Sequence, residues 1–280
     1  MIIRINGANA DIQIETEKTV GEILGAFDSW LSGTGHRLSG ISIDEKPVSA
    51  GGMDACFIRD IDTVQILDIK TSSLPELLEE SFCNMLQDID DFEEAGFEEK
   101  GPFLAQWKES PQSLLLAEQY SDFYNWALMT FSGEGSNPQI LRLMTEERLR
   151  ELRDPQGEIS RTETLVAEVC KRLEDLPLDM QTGKDARAAE TANAFSGAAE
   201  KLFRVFNILK MEGFPVEDII IEDMPITVFF AEFNNTLRDL LAAYEQRDTV
   251  LVGDIAEYEI APKLRNLYAA MINLTTRTVR

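Results

Sequence analysis

The chain of 280 residues carries 26 basic and 50 acidic side chains, a net charge of -24, and 44% of its residues are apolar. That apolar fraction is typical of a folded protein, and the length suffices for two domains that each bury a core. Because so negative a surface repels phosphate backbones, the composition argues against nucleic-acid partners and favours basic proteins or peptides.

Strand signals dominate the first 70 residues. The segments IIRIN and ADIQIE flank the turn signal NGAN at residues 6–9 and predict a hairpin. Thr19 and Glu22 predict a capping box that starts a helix, and Gly33 with Gly35 predicts its end. The segments LSGISI and TVQILDI then predict further strands. The inward positions of the helix are Val20, Ile23, Leu24, Phe27 and Leu31.

Hairpin, helix and further strands, in this order and length, resemble the ubiquitin-like proteins of β-grasp fold. Ubiquitin-type modifiers and sulfur carriers react through a free C-terminal Gly-Gly. Here the Gly-Gly pair is Gly51-Gly52, inside the domain, and the sequence ends TTRTVR. The resemblance therefore implies docking to other proteins and speaks against conjugation and sulfur transfer.

Residues 70–78, KTSSLPELL, predict a polar link between two domains, 1–70 and 74–280, with Pro75 in the first turn of a helix. That helix is predicted over about residues 74–95. Its apolar residues step by four and three, as one side of an α-helix requires. They are Leu78, Phe82, Met85, Ile89 and Phe92.

A second and a third helix are predicted between residues 110 and 154. Ser110-Pro111 and Asn137-Pro138 each predict a helix start, and DPQG at 154–157 predicts a helix end. The loop SGEGSNP separates the two helices. The inward positions predicted for the first of them are Leu116, Tyr120, Phe123, Ala127 and Phe131.

Three further helices are predicted beyond residue 160. Ser160 and Glu163 predict a capping box, Gly213 a helix end and Pro225 a helix start. Antiparallel packing of such helices with short loops predicts a helical bundle. The inward positions are Val166, Val169, Leu173 and Leu176, then Ala188, Ala192, Phe195, Ala199, Leu202, Phe206 and Leu209, then Phe229, Phe233, Leu237, Leu240 and Tyr244.

The segment VLVGDIAEYEIAPKL, residues 250–264, combines carboxylates, apolar residues and a proline. Leu251, Ile255 and Tyr258 continue one inward side, which Leu264, Leu267, Met271 and Leu274 resume. Pro262 removes a backbone hydrogen bond and predicts a kink. The carboxylates of Asp254, Glu257 and Glu259 do not converge, and Glu259 is spaced to pair with Lys263.

The same region resembles helical bacterial proteins of uncharacterised function, some of which accompany flagellar or secretion genes. The similarity covers about 25 residues and follows the pattern D-x-x-E-Y-E-x-x-P, here Asp254, Glu257, Tyr258, Glu259 and Pro262. It implies a bacterial protein related to assembly machinery and transfers no catalytic residue.

The inventory of reactive residues excludes most catalytic schemes. The one histidine, His36, lies in a glycine-rich turn, and the glycine-rich segments lack the Lys-Ser/Thr of a phosphate-binding loop. Cys56, Cys83 and Cys170 form no CxxC pair and fit buried thiols in a reducing compartment. No catalytic residue, cofactor or metal is predicted. No apolar run reaches the ~18 residues of a membrane span, so we expect a cytoplasmic protein.

The acidic run DIDDFEEAGFEE, residues 88–99, fails as a calcium loop because Phe92 and Glu93 occupy its fifth and sixth positions. It is either a solvated helix end or a surface that faces a partner. Aromatic side chains exposed in a groove would be further contacts, and their alternative is the core. The candidate partner-binding residues are Asp88, Asp90, Asp91, Glu93, Glu94, Trp107, Trp126 and Phe230.

Together these patterns predict an α+β protein, an N-terminal β-grasp domain followed by an all-α antiparallel bundle. The favoured function is a non-enzymatic protein-binding adaptor or chaperone-like assembly factor for basic or aggregation-prone clients. One alternative is a structural subunit of a homo-oligomer. Another is a metal-assisted hydrolase that uses carboxylates alone. The oligomeric state stays open.

Overall fold

The computed structural model describes residues 1–12, 14, 16–31, 34–134 and 137–278. The chain forms two compact units, Met1–Thr145 and Glu146–Arg280. This division does not decide the sequence-based domains 1–70 and 74–280, which stay a prediction. The architecture is α+β, with a mixed sheet near the N-terminus and helices through most of the remaining chain.

A five-stranded mixed sheet begins the first unit. Its strands lie in the order β2-β1-β5-β3-β4, with β1 parallel to β5 and the other pairs antiparallel. The strands are β1 (Ile2–Ile5), β2 (Ala8–Asn9), β3 (His36–Ile43), β4 (Lys46–Pro47) and β5 (Ile66–Ser73). Helix α1 (Val20–Leu31) lies over the sheet, and all five of its predicted inward residues are buried.

The hairpin of β1 and β2 turns at Asn6 and Gly7. Both residues have positive φ, 50° and 81°, which the tight hairpin turn requires and which Asn and Gly tolerate best. Asn6 also fastens this turn to β5, because its Oδ1 accepts from the Thr71 N–H at 2.9 Å and its Nδ2 donates to the Thr71 carbonyl at 3.2 Å. The central residues Leu67 and Ile69 of β5 are fully buried.

Two predictions about this sheet are wrong. The second strand of the hairpin was predicted at ADIQIE, residues 10–15, but the residues that pair with β1 are Ala8–Asn9, in the predicted turn, and Ile12 is 39% exposed. Gln13 and Glu15 of that segment lie outside the described residues, as does Gly33 of the predicted helix stop. The predicted polar link begins as strand, since Lys70–Ser73 pairs with β3 and completes β5.

Helix α3 follows β5 at once. Ser73 and Glu76 form a capping box, and Pro75 lies in the first turn as predicted. All five residues of the predicted α3 stripe are buried. The predicted 110–131 helix is interrupted at Tyr120, whose backbone is not helical (φ -137°, ψ 57°). The helices of the first unit are α2 (Met53–Phe57), α3 (Leu74–Glu94), α4 (Lys100–Lys108), α5 (Pro111–Gln119) and α6 (Ser121–Ser132).

Helix α7 (Pro138–Arg153) contributes residues to both units, and the second unit is helical apart from a two-stranded hairpin. Pro225 precedes α11 as predicted. The elements are α8 (Pro155–Arg161), α9 (Glu163–Gln181), α10 (Asp185–Met211), β6 (Ile220–Ile221), β7 (Met224–Pro225), α11 (Ile226–Glu245), α12 (Thr249–Ile255), a π-helical turn (Ala256–Ile260) and α13 (Ala261–Thr278).

The junctions around α8 correct the predicted capping. Asp154 starts α8, because its side chain accepts from the Gly157 N–H at 2.9 Å. Ser160 does not cap a helix, since it lies inside α8 and its hydroxyl donates to the Gln156 carbonyl. Thr162 occupies the N-terminal position of α9 without a side-chain cap.

Helix α9 lies at the centre of the second core, packed against α10, α12 and α13. Gly253 of α12 permits a close approach, because a Cβ there would lie 3.0 Å from Cα and Cβ of Pro177 in α9. All four predicted inward residues of α9 are buried. No helix in the described part of the chain is both long and apolar enough to cross a bilayer.

Four predicted inward positions of the second unit lie at the surface. Ala192 is exposed while Thr191 beside it is buried, so the inward side of α10 differs from the predicted one near the start of the helix, whereas Leu202 further along is buried as predicted. Tyr244 is 68% exposed, because Ala243 takes the inward position at the end of α11. Leu251 is 44% and Tyr258 67% exposed, because the inward side of this helix runs through Val252 and Ala256.

A π-helical turn after α12 changes which residues face the core. The five-residue π turn advances the chain further than an α-helical turn, so Ile260 and Ala261 become inward residues after Ile255 and Ala256. The turn lies immediately before Pro262, where the missing N–H would have completed α-helical bonding to Tyr258. The predicted disturbance at Pro262 therefore takes the form of a widened turn.

Candidate functional site

The acidic run at residues 88–99 forms one corner of the first unit, which we call the acidic corner. It comprises the end of α3, the turn at residues 95–99 and the approach to α4. Seven of its twelve residues carry carboxylates. Its two phenylalanines differ completely in environment, and its carboxylates divide between two sides of α3.

One side of the acidic corner is partly neutralised by α7. The guanidinium of Arg142 donates to Asp90 and lies 3.5 Å from Glu93, and the amide of Gln139 donates to Glu93 at 3.1 Å. In the described part of the chain, Arg142 is the one cation that forms an ion pair with this run. The carboxylates of Glu94, Glu98 and Glu99 therefore keep most of the negative charge near the turn.

The other side of α3 places Asp88 beside Trp107 of α4. Burial raises the pKa of Asp88 to about 6, the indole N–H of Trp107 opposes that rise, and the nearby charge of Asp91 adds to it. Asp88 Oδ2 and Trp107 Nε1 are both buried without a well-formed hydrogen bond among the described atoms. The indole N–H is therefore a poorly aligned donor to this carboxyl, and Asp88 is a half-buried acid held in a polar cavity of about 160 Å³.

Trp107 itself belongs to the core of the first unit. It is 3% exposed, stacks on Tyr124 at 5.3 Å between ring centroids and meets Phe131 edge-on at 5.0 Å. Helix α4, which carries it, was absent from the sequence interpretation. Trp107 is therefore a core residue, which was the alternative stated for the aromatic candidates. Other residues form the surface of the acidic corner.

Phe97 is the most exposed large apolar side chain among the described residues, at 94%. The turn that presents it is closed by two hydrogen bonds, Gly96 N–H to Glu99 Oε2 at 2.9 Å and Glu99 N–H to the Gly96 carbonyl at 3.0 Å. Phe92, five residues earlier, is 4% exposed and has the Lys100 ammonium 4.3 Å above its ring. The phenyl of Phe97 consequently projects from the acidic corner into solvent.

Sequence reasoning missed Phe97. A signal was present, because a step of five from Phe92 leaves the inward stripe of α3 and Gly96 interrupts the helix before it. An off-stripe aromatic in a turn cannot join the helical side that its neighbours bury. Exposure is the consequence unless another element covers it.

The remaining aromatic candidates lie apart from the corner. Trp126 on α6 is 44% exposed and is followed one turn later by Met129, 45% exposed. Phe230 belongs to the second unit, where its ring packs against Phe203 at 5.1 Å and Phe206 at 5.2 Å. The structure thus brings the predicted acidic residues together with Phe97 and leaves Phe230 within an aromatic core cluster.

The second unit contains a buried charge network formed by α7 and α10. The carboxylate of Glu151 is fully buried and accepts two bonds from Arg204, at 3.1 and 3.0 Å, and one from Arg148 at 3.4 Å. A carboxylate removed from water requires such donors, since burying it unpaired costs several kcal/mol.

Lys201 extends this network to α8. Its ammonium donates to Glu147 at 3.0 Å and to Glu158 at 2.9 Å. Burial raises the pKa of both carboxyls, but the hydrogen bond and charge of Lys201 outweigh burial and leave each pKa below its usual value. These ions neutralise one another and leave no charge for a ligand. Their role is structural, because the ion pairs connect α7, α8 and α10.

Metal and thiol chemistry find little support in the described residues. No group of three or more His, Cys, Asp or Glu side chains among them is arranged to hold a metal ion. Cys56 and Cys170 are buried free thiols and Cys83 is exposed. The ring of His36 is exposed, and its Nδ1 lies 3.1 Å from the backbone oxygen of Thr34.

Two segments of the chain match family models. Residues 1–73 match the TP0873 N-terminal domain, and residues 158–270 match a domain of unknown function, DUF8042. Over 274 residues the chain is 23% identical to an uncharacterized protein of Treponema pallidum (strain Nichols), with 98% of each chain aligned. No solved structure matches. The expected similarity to uncharacterised bacterial proteins is thereby confirmed.

Proposed function

We propose that the protein is a non-enzymatic adaptor that binds a basic segment of a partner protein at the acidic corner. The observation that carries the proposal is Phe97, a phenyl 94% exposed at a closed turn and surrounded by carboxylates. A single exposed aliphatic side chain is common on protein surfaces. An aromatic side chain that projects fully into solvent among many carboxylates is suited to binding a partner.

Binding at this corner would combine two physical terms. Burial of the Phe97 side chain in a partner pocket contributes about 1.5–3 kcal/mol. The unneutralised carboxylates of Glu94, Glu98 and Glu99 attract and orient a basic segment, which raises the association rate and discriminates against acidic partners. The net charge of -24 extends that preference over the molecule.

We also propose that residues 1–73 form a β-grasp docking domain. The sheet order β2-β1-β5-β3-β4, with a parallel central pair and α1 over one side, supports this assignment. The ubiquitin-like resemblance then suggests a binding role in place of a catalytic one. The unpaired buried thiols support a reducing cytoplasm as the compartment.

The test uses the full chain as bait in an extract of its native cells, with partners quantified by mass spectrometry. We expect Phe97→Ser, and separately Glu94→Gln with Glu98→Gln, to lose the same basic proteins. Ile58→Ser is the matched control, because Ile58 is 80% exposed and lies outside the acidic corner. Retention of every partner by both corner variants would refute this assignment.

A further inference from the structure

The outer side of α12 and the π turn carries a second exposed apolar surface, in the other unit. Val250 is 62%, Leu251 44% and Tyr258 67% exposed. Leu251 and Tyr258 are seven residues apart, about 10 Å along a helix, and Asp254 lies between them. Beyond the turn at residues 246–248, Tyr244 of α11 adds a ring that is 68% exposed. We call Val250, Leu251, Asp254, Glu257 and Tyr258 the α12 surface.

The α12 surface lies opposite the buried side of its helix. Leu251 and Tyr258 are seven residues, about two helical turns, apart and both face solvent, whereas Ile255 between them is buried. A π turn at residues 256–260 lies within this surface, and such turns occur often at functional sites. Pro262 accounts for the irregular turn, but it does not require the outward residue to be aromatic.

The charges of the α12 surface are of one sign. The hydroxyl of Tyr258 lies against the carboxylate of Glu257, whose hydrogen bond and charge raise the pKa of the phenol, and Asp254 adds to that rise. Neither Asp254 nor Glu257 takes part in an ion pair among the residues that the structure describes. Apolar side chains and two uncompensated carboxylates are therefore adjacent on one exposed helix side.

We infer that the α12 surface binds a basic amphipathic helix of a partner protein. Apolar residues of the partner at i and i+7 match the spacing of Leu251 and Tyr258, as in other helix-to-helix recognition. Lysine or arginine beside that stripe would pair with Asp254 and Glu257. A second copy of the chain is a poor occupant, because it would bring another -24 charge to an acidic surface.

The probe is a synthetic 18-residue helix with leucine on one side and lysine on the other, titrated into the full-length protein by fluorescence anisotropy. One comparison peptide replaces lysine with glutamate, and another keeps the composition but shuffles the leucines. We expect the first peptide to bind and both comparison peptides to bind at least about tenfold more weakly. Equal binding of the shuffled peptide would mean nonspecific charge attraction and would overturn the inference.

Variants then locate the peptide. We expect Leu251→Ser, and separately Tyr258→Ser, to raise Kd about tenfold. Val228→Ser is the matched control, because Val228 of α11 is 44% exposed, as Leu251 is, and lies outside the α12 surface. An unchanged Kd in both surface variants overturns the inference. Loss of binding in Phe97→Ser alone also overturns it, while leaving the acidic-corner function intact.

Discussion

At the residue scale, Asp88 shows how local burial sets an acid apart from the run around it. Its pKa rises from 3.8 to about 6, mainly through burial, so the folded protein holds this proton more tightly than the unfolded chain does. A raised carboxyl pKa means that Asp88 favours folding as pH falls through 6 toward 4 and opposes folding above 6.

Asp88→Asn removes the buried charge. The full pKa rise corresponds to about 3 kcal/mol, which solvent exposure of this half-buried group reduces to about 1 kcal/mol. We expect the variant to be more stable than the wild type by about that amount at pH 7.5 and equal to it at pH 4, as measured by urea unfolding. Glu94→Gln is the exposed control, and a loss of stability in Asp88→Asn at pH 7.5 would contradict the expectation.

Glu151 presents the opposite case of a buried acid that needs its charge. In Glu151→Gln the guanidiniums of Arg204 and Arg148 lose the carboxylate that balances their charge. We therefore expect a loss of about 3 kcal/mol in the free energy of unfolding. Glu168→Gln is the control, because the Glu168–Arg172 pair is exposed and such pairs contribute at most about 1 kcal/mol. Equal denaturation curves for the two variants would show that the network is not stabilising.

Single residues also show where sequence reasoning succeeds. The stripe from Leu78 to Phe92 was predictable because one regular helix lies against one core, and period alone then decides burial. Tyr258 was assigned inward because it follows Ile255 by three residues, but the buried side of the helix is centred on Val252 and Ala256, which places Tyr258 opposite. Trp107 and Phe97 are both aromatic, yet only the arrangement of α4 and of the turn before it makes one core and the other surface.

At the scale of elements, the contact between α9 and α12 depends on a missing side chain. Gly253→Ala would force a Cβ to within 3.0 Å of Pro177, so we expect α12 to shift and the free energy of unfolding to fall by about 1–3 kcal/mol. Gly197→Ala in α10 is the matched control, since no described atom beyond its own helix backbone lies within 4 Å of its Cβ position.

The control variant should behave in the opposite sense. Alanine at an unobstructed helix position is favoured over glycine by up to about 1 kcal/mol, so Gly197→Ala is expected to raise the melting temperature. Thermal unfolding of both variants by circular dichroism gives the comparison. A rise for Gly253→Ala as well would mean that the two helices are less tightly packed than their backbones indicate.

Elements also mark the limits of prediction from local pattern. Helix α4 was missed because Gly101-Pro102 reads as a break and only Phe103 and Trp107 keep helical spacing. The end of β5 was assigned to a link because Lys70–Ser73 is polar. Its strand form comes from pairing with β3, a contact between residues at least thirty positions apart that a local window does not contain.

At the scale of the whole molecule, the net charge of -24 opposes compaction through self-repulsion. We expect the melting temperature to rise between 20 and 300 mM NaCl, because the Debye length falls from ~20 Å to ~6 Å and long-range repulsion is screened. Buried pairs such as Glu151–Arg204 are screened far less and should not reverse the trend. A melting temperature that falls with added salt would show that exposed ion pairs outweigh repulsion.

The passage from β5 into α3 at Ser73 has a mechanical consequence. Strand and helix share no intervening loop, and α3 then runs 21 residues, about 30 Å, to the acidic corner. The capping box at Ser73 and Glu76 is thus the point about which α3 would pivot against the sheet. A tilt of about 5° there displaces Phe97 by ~3 Å, so a small movement at the sheet and a larger movement at the acidic corner are coupled through this one helix.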